Sequence, residues 1–295
     1  MKNHGRQWVE ALRQEGYLAD EETGTALFLA NDLQRPILIE GQAGVGKTEI
    51  ARVLSKIKDC ELVRLQCYEG LDFHSALYEW NYQKQLLSLK IKEIQQDTKA
   101  HLHDFYTEDY LSYRPILKAI TAESPVVLLL DEIDRADEEF EALLLETLGE
   151  FQLTIPEFGR IPAKSFPFVI LTSNRTRELS DALRRRCLYL WIDYPTYEKE
   201  LEVIKIKVPE IDLTLASQAA KFVQLLREES LAKAPGLSEA VDWSRALLAI
   251  GASELNDVAV ANTIGCLLKD QIDINRFRAG SFQTLVDRAR GDEKF

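Results

Sequence analysis

Apolar and polar positions follow two periods through roughly the first two thirds of the chain, and only the helical period continues beyond them. Short apolar runs at RPILIE, PVVLLLDE and FPFVILTSN predict buried strands, because a parallel sheet covered by helices needs apolar residues on both faces. Between the first of these runs and a further strand, ELVRLQC, the segment TEIARVLSKI repeats its apolar residues at helical spacing. This order of strand, helix and strand predicts an α/β core with a parallel sheet.

The remaining elements divide the chain near Asp193. Residues 137–151 predict a helix capped by Asp137, residues 151–164 a β-hairpin that turns at 156–159, and residues 187–195 a last strand. The segments TYEKELEVIKIKV, TLASQAAKFVQLLREES, SEAVDWSRALLAIGA and DVAVANTIGCLLKD then predict helices only. We therefore expect a nucleotide-binding core over residues 1–194 and a smaller, all-helical domain over residues 195–295.

Composition and charge narrow the class of protein. Hydrophobic residues make up 46% of the 295 residues, which is enough to build packed cores. The formal charge of −12 opposes the electrostatic attraction on which non-specific nucleic-acid binding depends. The cysteines show no CxxC spacing, the first residues contain no apolar signal segment, and VVLLL is too short to span a membrane. These features predict a soluble, cytoplasmic protein with reduced thiols.

The stretch GQAGVGKT, residues 41–48, is the first motif that carries chemistry. It matches GxxxxGK[ST] and lies between a predicted strand and a predicted helix, so that successive backbone N–H groups and the helix N-terminus converge on the phosphates of a nucleotide. In this arrangement Lys47 neutralises phosphate charge and the Thr48 hydroxyl binds Mg²⁺. The alternative, a glycine-rich turn without a ligand, does not require both flanking elements.

Paired acids at the end of PVVLLLDE supply a metal ligand and a base. Ligands bind at the carboxyl ends of strands in α/β sheets, where Asp131 would hold Mg²⁺ directly or through water. Glu132 would polarise the attacking water. Acidic residues at this point also favour the start of a helix, and this is the structural alternative.

Two polar segments after the next strand complete the candidate site. Asn174 follows FVILTS and would orient the attacking water at the γ-phosphate, although asparagine is also common in loop turns. Arg184, Arg185 and Arg186 end a short predicted helix, where the helix dipole alone favours positive charge. An arginine inserted beside the phosphates of a neighbouring subunit accelerates hydrolysis by about 10³ to 10⁵.

The chain resembles the AAA+ ATPases, and specifically the MoxR family, over nearly its whole length. The resemblance lies in the order of GQAGVGKT, LLLDEIDRA, LTSN, ALRRRC and an all-helical C-terminal region. The segments RLQCYEGLDFHSALYEWNY, FQLTIPEFG, LTSNRTRELSDALRRRC and VDWSRALLAI are similar to the CoxD-type subgroup, which is associated with maturation of a molybdenum- and copper-containing carbon monoxide dehydrogenase. The resemblance implies an AAA+ P-loop NTPase fold with an αβα core and a helical lid.

The resemblance also implies roles for individual residues. Asp131 and Glu132 are then the Walker B pair, Asn174 is sensor 1, and Arg186 is the arginine finger, with Arg185 as the second choice. The implied nucleotide-binding residues are Gly41, Gln42, Ala43, Gly44, Val45, Gly46, Lys47, Thr48, Glu49 and Asp131, with Thr48 and Asp131 as the Mg²⁺ ligands.

Sensor 2, the lid arginine that couples the γ-phosphate to lid position, aligns best with Arg245. The family pattern there is serine-proline-arginine-alanine, whereas this chain has WSRA with Ser244 at the proline position. A surface arginine on an amphipathic helix is the equal alternative.

By resemblance, the hairpin at 155–162 and an insertion over 68–111 are the parts that grip a client. The resemblance implies a homo-oligomeric ring, with six subunits expected, that uses ATP and Mg²⁺ to remodel or assemble a metalloenzyme together with a von Willebrand factor A domain protein. A clamp-loader subunit or another nucleic-acid-associated AAA+ ATPase is the alternative, which the acidic charge disfavours. A scaffold that binds ATP with little turnover is a third hypothesis, disfavoured by the intact acidic pair.

Overall fold

Nine short strands are present in the computed structural model, which describes residues 4–94, 105–156, 158–280 and 283–291. In chain order the strands are β1 (Ile37–Gly41), β2 (Leu62–Gln66), β3 (Tyr78–Trp80), β4 (Leu111–Tyr113), β5 (Val127–Asp131), β6 (Gln152–Ile155), β7 (Gly159–Pro162), β8 (Phe168–Ser173) and β9 (Leu188–Ile192).

Five of these strands form one sheet in the order β2-β5-β8-β1-β9. The pairs β2 with β5, β5 with β8 and β1 with β8 run parallel. Every residue of β1, β5 and β8 is buried, as the continuous apolar runs predict. Because the strands run parallel, the carboxyl ends of β5 and β8 lie side by side, and the polar residues that follow them meet at one edge of the sheet.

The helices are α1 (His4–Gln14), α2 (Glu21–Asp32), α3 (Lys47–Ile57), α4 (Phe73–Ala76), α5 (Tyr82–Ile94), α6 (Pro115–Thr121), α7 (Glu138–Glu150), α8 (Asp181–Arg186), α9 (Tyr197–Lys207), α10 (Leu213–Glu228), α11 (Leu237–Ala249), α12 (Asp257–Thr263), α13 (Gln271–Arg278) and α14 (Gln283–Arg290). The one helix cap that the sequence predicts, Asp137, is present. Asp137 caps α7 by accepting from the Phe140 N–H at 2.9 Å, and β6 and β7 form the predicted antiparallel hairpin.

One helix boundary differs from the sequence prediction. The single helix expected over 257–270 ends at Thr263, continues as a 3₁₀ turn over Ile264–Cys266, and gives way to α13. Two local features explain the break. Gly265 weakens a helix interior, and the Asp270 carboxylate accepts from the Ile272 N–H at 2.7 Å, which starts a new helix.

The chain divides into two compact units. The first contains Met1–Glu15, Ala19–Glu40 and Thr48–Trp191, and its core packs the sheet against helices through residues such as Leu128, Leu144 and Leu171. The second contains Gly16–Leu18, Gly41–Lys47 and Ile192–Phe295. Its core centres on Phe222 and Trp243, and the Trp243 indole donates to the Thr263 hydroxyl at 2.8 Å.

The insertion over 68–111 contains α4, β3 and α5 and ends at the first residue of β4, and residues 95–104 of it lie outside the described residues. Tyr78 and Trp80 are buried in the core of the first unit, whereas Tyr68 and Tyr82 are exposed. Most of α5 is polar or exposed, including Leu86, Leu87, Ile91 and Ile94. Within the described residues, no helix has the length and apolar character needed to cross a membrane.

A buried ion pair holds the second unit together. Arg227 donates to both carboxylate oxygens of Glu200, at 2.9 Å and 2.6 Å, and its Nε donates to the carbonyl oxygen of Pro235 at 2.8 Å. The side chains of Arg227 and Glu200 are only 7% and 0% exposed. The pair therefore ties α9, α10 and the segment before α11 into one unit.

We expect Arg227→Leu to lower the free energy of unfolding by about 3–5 kcal/mol, because it leaves the Glu200 charge buried without its partner. Chemical denaturation of the purified chain measures the loss. Lys164→Gln is the control, since it breaks an ion pair to Glu123 that is exposed on both sides and should leave the denaturation midpoint near that of the parent. Equal midpoints for all three proteins would contradict this role for the buried pair.

Candidate functional site

Asp131 ends β5 with a buried carboxylate that binds two hydroxyl groups. Thr48 Oγ1 donates to Asp131 Oδ1 at 2.9 Å, and Thr172 Oγ1 donates to the same oxygen at 2.6 Å. Thr172 lies on β8, the strand beside β5, so the parallel pairing places its side chain at the end of β5. The structure thus brings together the two residues that the sequence predicts as Mg²⁺ ligands, and their hydroxyl and carboxylate oxygens are the donors that Mg²⁺ prefers.

The other oxygen of Asp131 binds an arginine that the sequence analysis missed. Arg64 on β2 donates to Asp131 Oδ2 from Nε at 3.1 Å and from Nη2 at 2.6 Å. It also bonds to Gln66, two residues along the same strand. The Asp131 carboxylate is therefore neutralised and held in place by Arg64.

Glu132 has an unusual backbone conformation for a residue with a side chain. Its φ of 54° and ψ of 50° lie in the left-handed region, which costs most residues about 1–2 kcal/mol. The Glu132 N–H donates to Thr172 Oγ1 at 2.9 Å, and its carboxylate pairs with Arg135 Nε at 2.8 Å. Glu132 is the N-cap residue of the short 3₁₀ helix Ile133–Arg135, but its side chain makes no capping hydrogen bond there. Strained residues of this kind cluster at functional sites.

A second buried carboxylate, Asp134, fastens the loop that follows β8. Asp134 Oδ1 accepts from the Asn174 N–H at 3.2 Å, and Oδ2 accepts from the Thr176 N–H at 2.8 Å and the Thr176 hydroxyl at 2.7 Å. Further along, Glu141 accepts from Arg177 at 2.6 Å and from the Ser180 N–H at 2.8 Å. The Asn174 loop is therefore fixed to the segment that carries Glu132.

The thiol of Cys67, which lies beside this acidic cluster, stays protonated and uncharged. Burial, reinforced by the charges of Asp131, Asp134 and Glu132, raises the pKa of Cys67 to about 12. Its backbone N–H donates to the carbonyl oxygen of Asp131 at 2.8 Å. Cys67 is thus a neutral packing residue beneath the acidic cluster.

Residues 41–47 belong to the second unit and form the loop that the motif predicts, which we call the phosphate loop. Gly44 and Gly46 have φ values of +76° and +94°, where a residue with a Cβ atom is strained. The Lys47 ammonium is buried and donates to the carbonyl oxygens of Gly41 at 2.7 Å and Gln42 at 2.6 Å. These glycines and the buried cation suit a loop that wraps an anionic phosphate group.

Arg186, the predicted finger, ends α8 on the surface of the first unit. Its guanidinium lies over Gly149 of α7, so closely that a Cβ atom on Gly149 would be 1.9 Å from Arg186 Nη1. The carbonyl oxygens of Arg185 and Arg186 accept from Arg35, at 2.8 Å and 3.3 Å, which caps the end of α8. Arg184 instead lies over the ring of Tyr189. The side chains of Arg184 and Arg186 therefore have different surroundings.

Arg245, the predicted sensor 2, is exposed on α11. It pairs with Asp242 Oδ1 at 3.1 Å and donates to the carbonyl oxygen of Lys207 at 3.3 Å. Glu49, at the start of α3, pairs with Arg52 at 3.6 Å. Neither contact tests the role that the motif order implies for these residues.

A buried glutamate precedes the phosphate loop. Glu40 accepts from the Tyr189 hydroxyl at 3.1 Å and pairs with Arg175 at 3.7 Å. Arg175 directly follows Asn174, has a left-handed φ of 57°, and lies over the ring of Trp191. Burial and the bond to Glu40 raise the pKa of Tyr189, so its hydroxyl stays protonated as a donor. The sequence analysis does not select Glu40, although a charged residue within an apolar strand is a signal that could have identified it.

The comparisons with known proteins fit this arrangement. A family model described as AAA domain, dynein-related subfamily, matches residues 36–187. An uncharacterised protein of Staphylococcus epidermidis is 28% identical over 249 residues, which cover 82% of this chain and 84% of that protein. An uncharacterised protein of Staphylococcus aureus is 28% identical over 224 residues, covering 74% of this chain and 77% of its own.

Among solved structures, two mutants of RuvB from Thermotoga maritima share the fold. One superposes with a TM-score of 0.52 and 19% identity, covering 92% of this chain and 76% of RuvB. The other has a TM-score of 0.52 and 18% identity, covering 97% of this chain and 78% of RuvB. At this level of identity the likeness extends to the fold alone.

Proposed function

The chain belongs to the AAA domain family, dynein-related subfamily, and on that premise we propose that it is a ring-forming ATPase that uses ATP hydrolysis to remodel or assemble a client protein. Membership of the family makes it an ATP hydrolase with the AAA+ P-loop fold.

The observation that carries the proposal is the contact of Thr48 Oγ1 with Asp131 Oδ1 at 2.9 Å. We assign these two oxygens as the atoms that would hold Mg²⁺, which would supply positive charge to neutralise the phosphates of ATP. The phosphate loop offers its backbone N–H groups and Lys47 to the phosphates, and Gly44 and Gly46 supply the backbone conformations that it needs. Arg64 keeps the Asp131 carboxylate oriented and balances its charge.

Two further residues act on the attacking water in this proposal. Glu132 accepts a proton from the water once the Glu132 carboxylate leaves Arg135. Asn174 orients the same water from the end of β8. Asp134 supports both roles, because it lies two residues after Glu132 and holds the Asn174 backbone. The order of the motifs along the chain and the parallel pairing of β5 with β8 support this division of labour.

We assign Arg186 to a finger that acts in the neighbouring subunit, with Arg185 as the second choice and Arg245 as sensor 2. AAA+ proteins generally form oligomers, and we propose a hexameric ring for this chain. The exposed position of Arg186 at the end of α8 supports an action outside its own subunit.

The resemblance to the MoxR family and its CoxD-type subgroup supports a metalloenzyme as the client and a von Willebrand factor A domain protein as the partner. The exposed apolar residues of α5 supply a surface that fits a protein partner. We place this work in the cytoplasm, in keeping with the free cysteines Cys60, Cys67, Cys187 and Cys266.

The main alternative, a nucleic-acid-associated AAA+ ATPase, leads to a direct test. We expect duplex DNA to leave the rate of ATP hydrolysis within about twofold of the rate without DNA, because the chain carries a net charge of −12. The rate is measured at about 50 mM and about 200 mM salt, since DNA binding through phosphate contacts weakens steeply over that range.

Stimulation by DNA that disappears at the higher salt concentration would overturn the protein-client proposal in favour of the alternative. Single-stranded DNA and a neutral polymer of similar length serve as controls for strand preference and crowding.

A further inference from the structure

The start of α11 lies directly on the phosphate loop within the second unit. The Ser238 backbone N–H donates to the carbonyl oxygen of Gly44 at 3.1 Å. Ser238 is in the first turn of α11, where backbone N–H groups have no partner inside the helix. The Ser238 N–H thus finds its acceptor in the Gly44 peptide, at the centre of the phosphate loop.

Gly236, the residue before α11, is packed against the same peptide. A Cβ atom on Gly236 would lie 2.7 Å from the carbonyl oxygen of Ala43 and 2.8 Å from the Cα of Gly44. Both are backbone atoms, so neither can yield without moving the loop. The φ of Gly236 is −82°, which any residue adopts, so the contact alone excludes a side chain here.

Glu239 fixes the shape of this segment. Its Oε2 accepts from the Gly236 N–H at 3.1 Å and from the Ser238 hydroxyl at 2.9 Å, which closes the first turn of α11. The same oxygen would be 2.7 Å from a Cβ atom on Gly44. From the other side, Arg227 holds the carbonyl oxygen of Pro235 at 2.8 Å and is anchored by Glu200. The segment 236–239 is therefore held in place on both sides of its contact with the phosphate loop, by Arg227 at Pro235 and by the Glu239 carboxylate.

We propose that residues 236–239 are positioning residues for the phosphate loop, which set its affinity for nucleotide and transmit its occupancy to α11. This inference rests on the proposed function, because it requires that the loop bind nucleotide phosphates. The contact fixes the orientation of the Gly44 peptide, and a loop that is already oriented binds phosphate without the cost of ordering it. Conversely, any movement of the Gly44 carbonyl oxygen on binding pulls on Ser238 and so on the first turn of α11.

The test compares Gly236→Ala with Gly265→Ala. Both replace a glycine of the second unit by alanine, but a Cβ atom on Gly265 meets nothing within 4 Å. The measurement is equilibrium binding of a fluorescent ADP analogue, which needs no hydrolysis, together with thermal unfolding of each protein. We expect Gly236→Ala to weaken binding about tenfold or more and Gly265→Ala to leave it unchanged, with both proteins folded.

Equal affinities for the parent and Gly236→Ala would overturn the inference while leaving the proposed function intact. A parent chain that fails to bind the analogue would instead overturn the proposed function. The two failures are therefore distinguishable in one experiment.

Amide hydrogen exchange in the unaltered chain gives a second test that does not depend on the variant folding. We expect saturating ADP to slow exchange of the peptide that contains Ser238 and to leave a peptide from α13 unchanged. Exchange at Ser238 that is the same with and without bound ADP would contradict the transmission of occupancy to α11.

Discussion

A mixture of the variants Lys47→Ala and Arg186→Ala is expected to hydrolyse ATP, although neither variant does so alone. Lys47→Ala lacks the phosphate-loop cation in its own site but still presents Arg186 to a neighbour. Arg186→Ala keeps an intact phosphate loop and lacks the finger. A head-to-tail interface in which the Arg186→Ala subunit supplies the phosphate loop and the Lys47→Ala subunit supplies the finger therefore contains one complete set of residues.

The size of the effect follows from the chemistry and from the geometry of a ring. Removal of an arginine finger costs about 10³ to 10⁵ in rate, so each variant alone should fall to the background of the assay. If subunits mix at random in equal amounts, about one quarter of the head-to-tail interfaces combine an intact loop with an intact finger. The mixture should therefore recover up to about one quarter of the parent rate, measured as phosphate release.

Arg185→Ala is the matched control, since it removes the neighbouring cation of α8. We expect it to retain turnover when assayed alone, because Arg186 and not Arg185 is assigned as the finger. Co-purification through an affinity tag carried by only one of the two inactive variants verifies that they assemble together. Verified mixed assemblies without turnover would reject a site completed by Arg186 from the next subunit.

Replacement of Glu132 by glutamine is expected to lower the rate of ATP hydrolysis by about 10² to 10⁴ while ATP still binds. The amide keeps the size of the side chain but cannot accept the proton of the attacking water. Retained binding follows because Lys47, Thr48 and Asp131 are unchanged. Stopped turnover with bound ATP should also hold any ring together, so the same protein is suited to measuring the mass of the assembly.

Glu139→Gln is the control, since Glu139 is an exposed acid in the first turn of α7. It should hydrolyse ATP at the parent rate. Hydrolysis by Glu132→Gln at the parent rate would remove Glu132 from the role of base, and a loss of ATP binding would place it among the binding residues instead.

The elements of the sheet could be predicted because their signals are local. Each buried strand is an apolar run bounded by polar residues, and Asp131 stands at the point where such a run ends. The glycine spacing of the phosphate loop is likewise a local signal, and Gly44 and Gly46 have positive φ values, which glycine adopts readily. A strand followed by a loop and a helix is itself a local pattern, so α3 begins where the motif predicts.

The parts that could not be predicted depend on which strands become neighbours. Arg64 reads as an outward residue in an alternating strand, and only the pairing of β2 with β5 turns it into a partner of Asp131. Gly236 is a similar case. Its φ does not require glycine; a side chain is excluded there only by contact with residues about 190 positions earlier in the chain. The roles assigned to Arg186 and Arg245 stay predictions.

Because Arg186 contacts Gly149, selection for stability and selection for ATP hydrolysis favour different residues at position 149. Glycine near the end of α7 costs the helix about 0.5–1 kcal/mol relative to alanine, so a search for more stable variants would favour alanine at position 149. Yet the first carbon of that alanine would occupy the space that the guanidinium now fills. A library ranked by melting temperature would thus enrich a substitution that displaces the proposed finger, and only a screen that also scores turnover would recognise the trade.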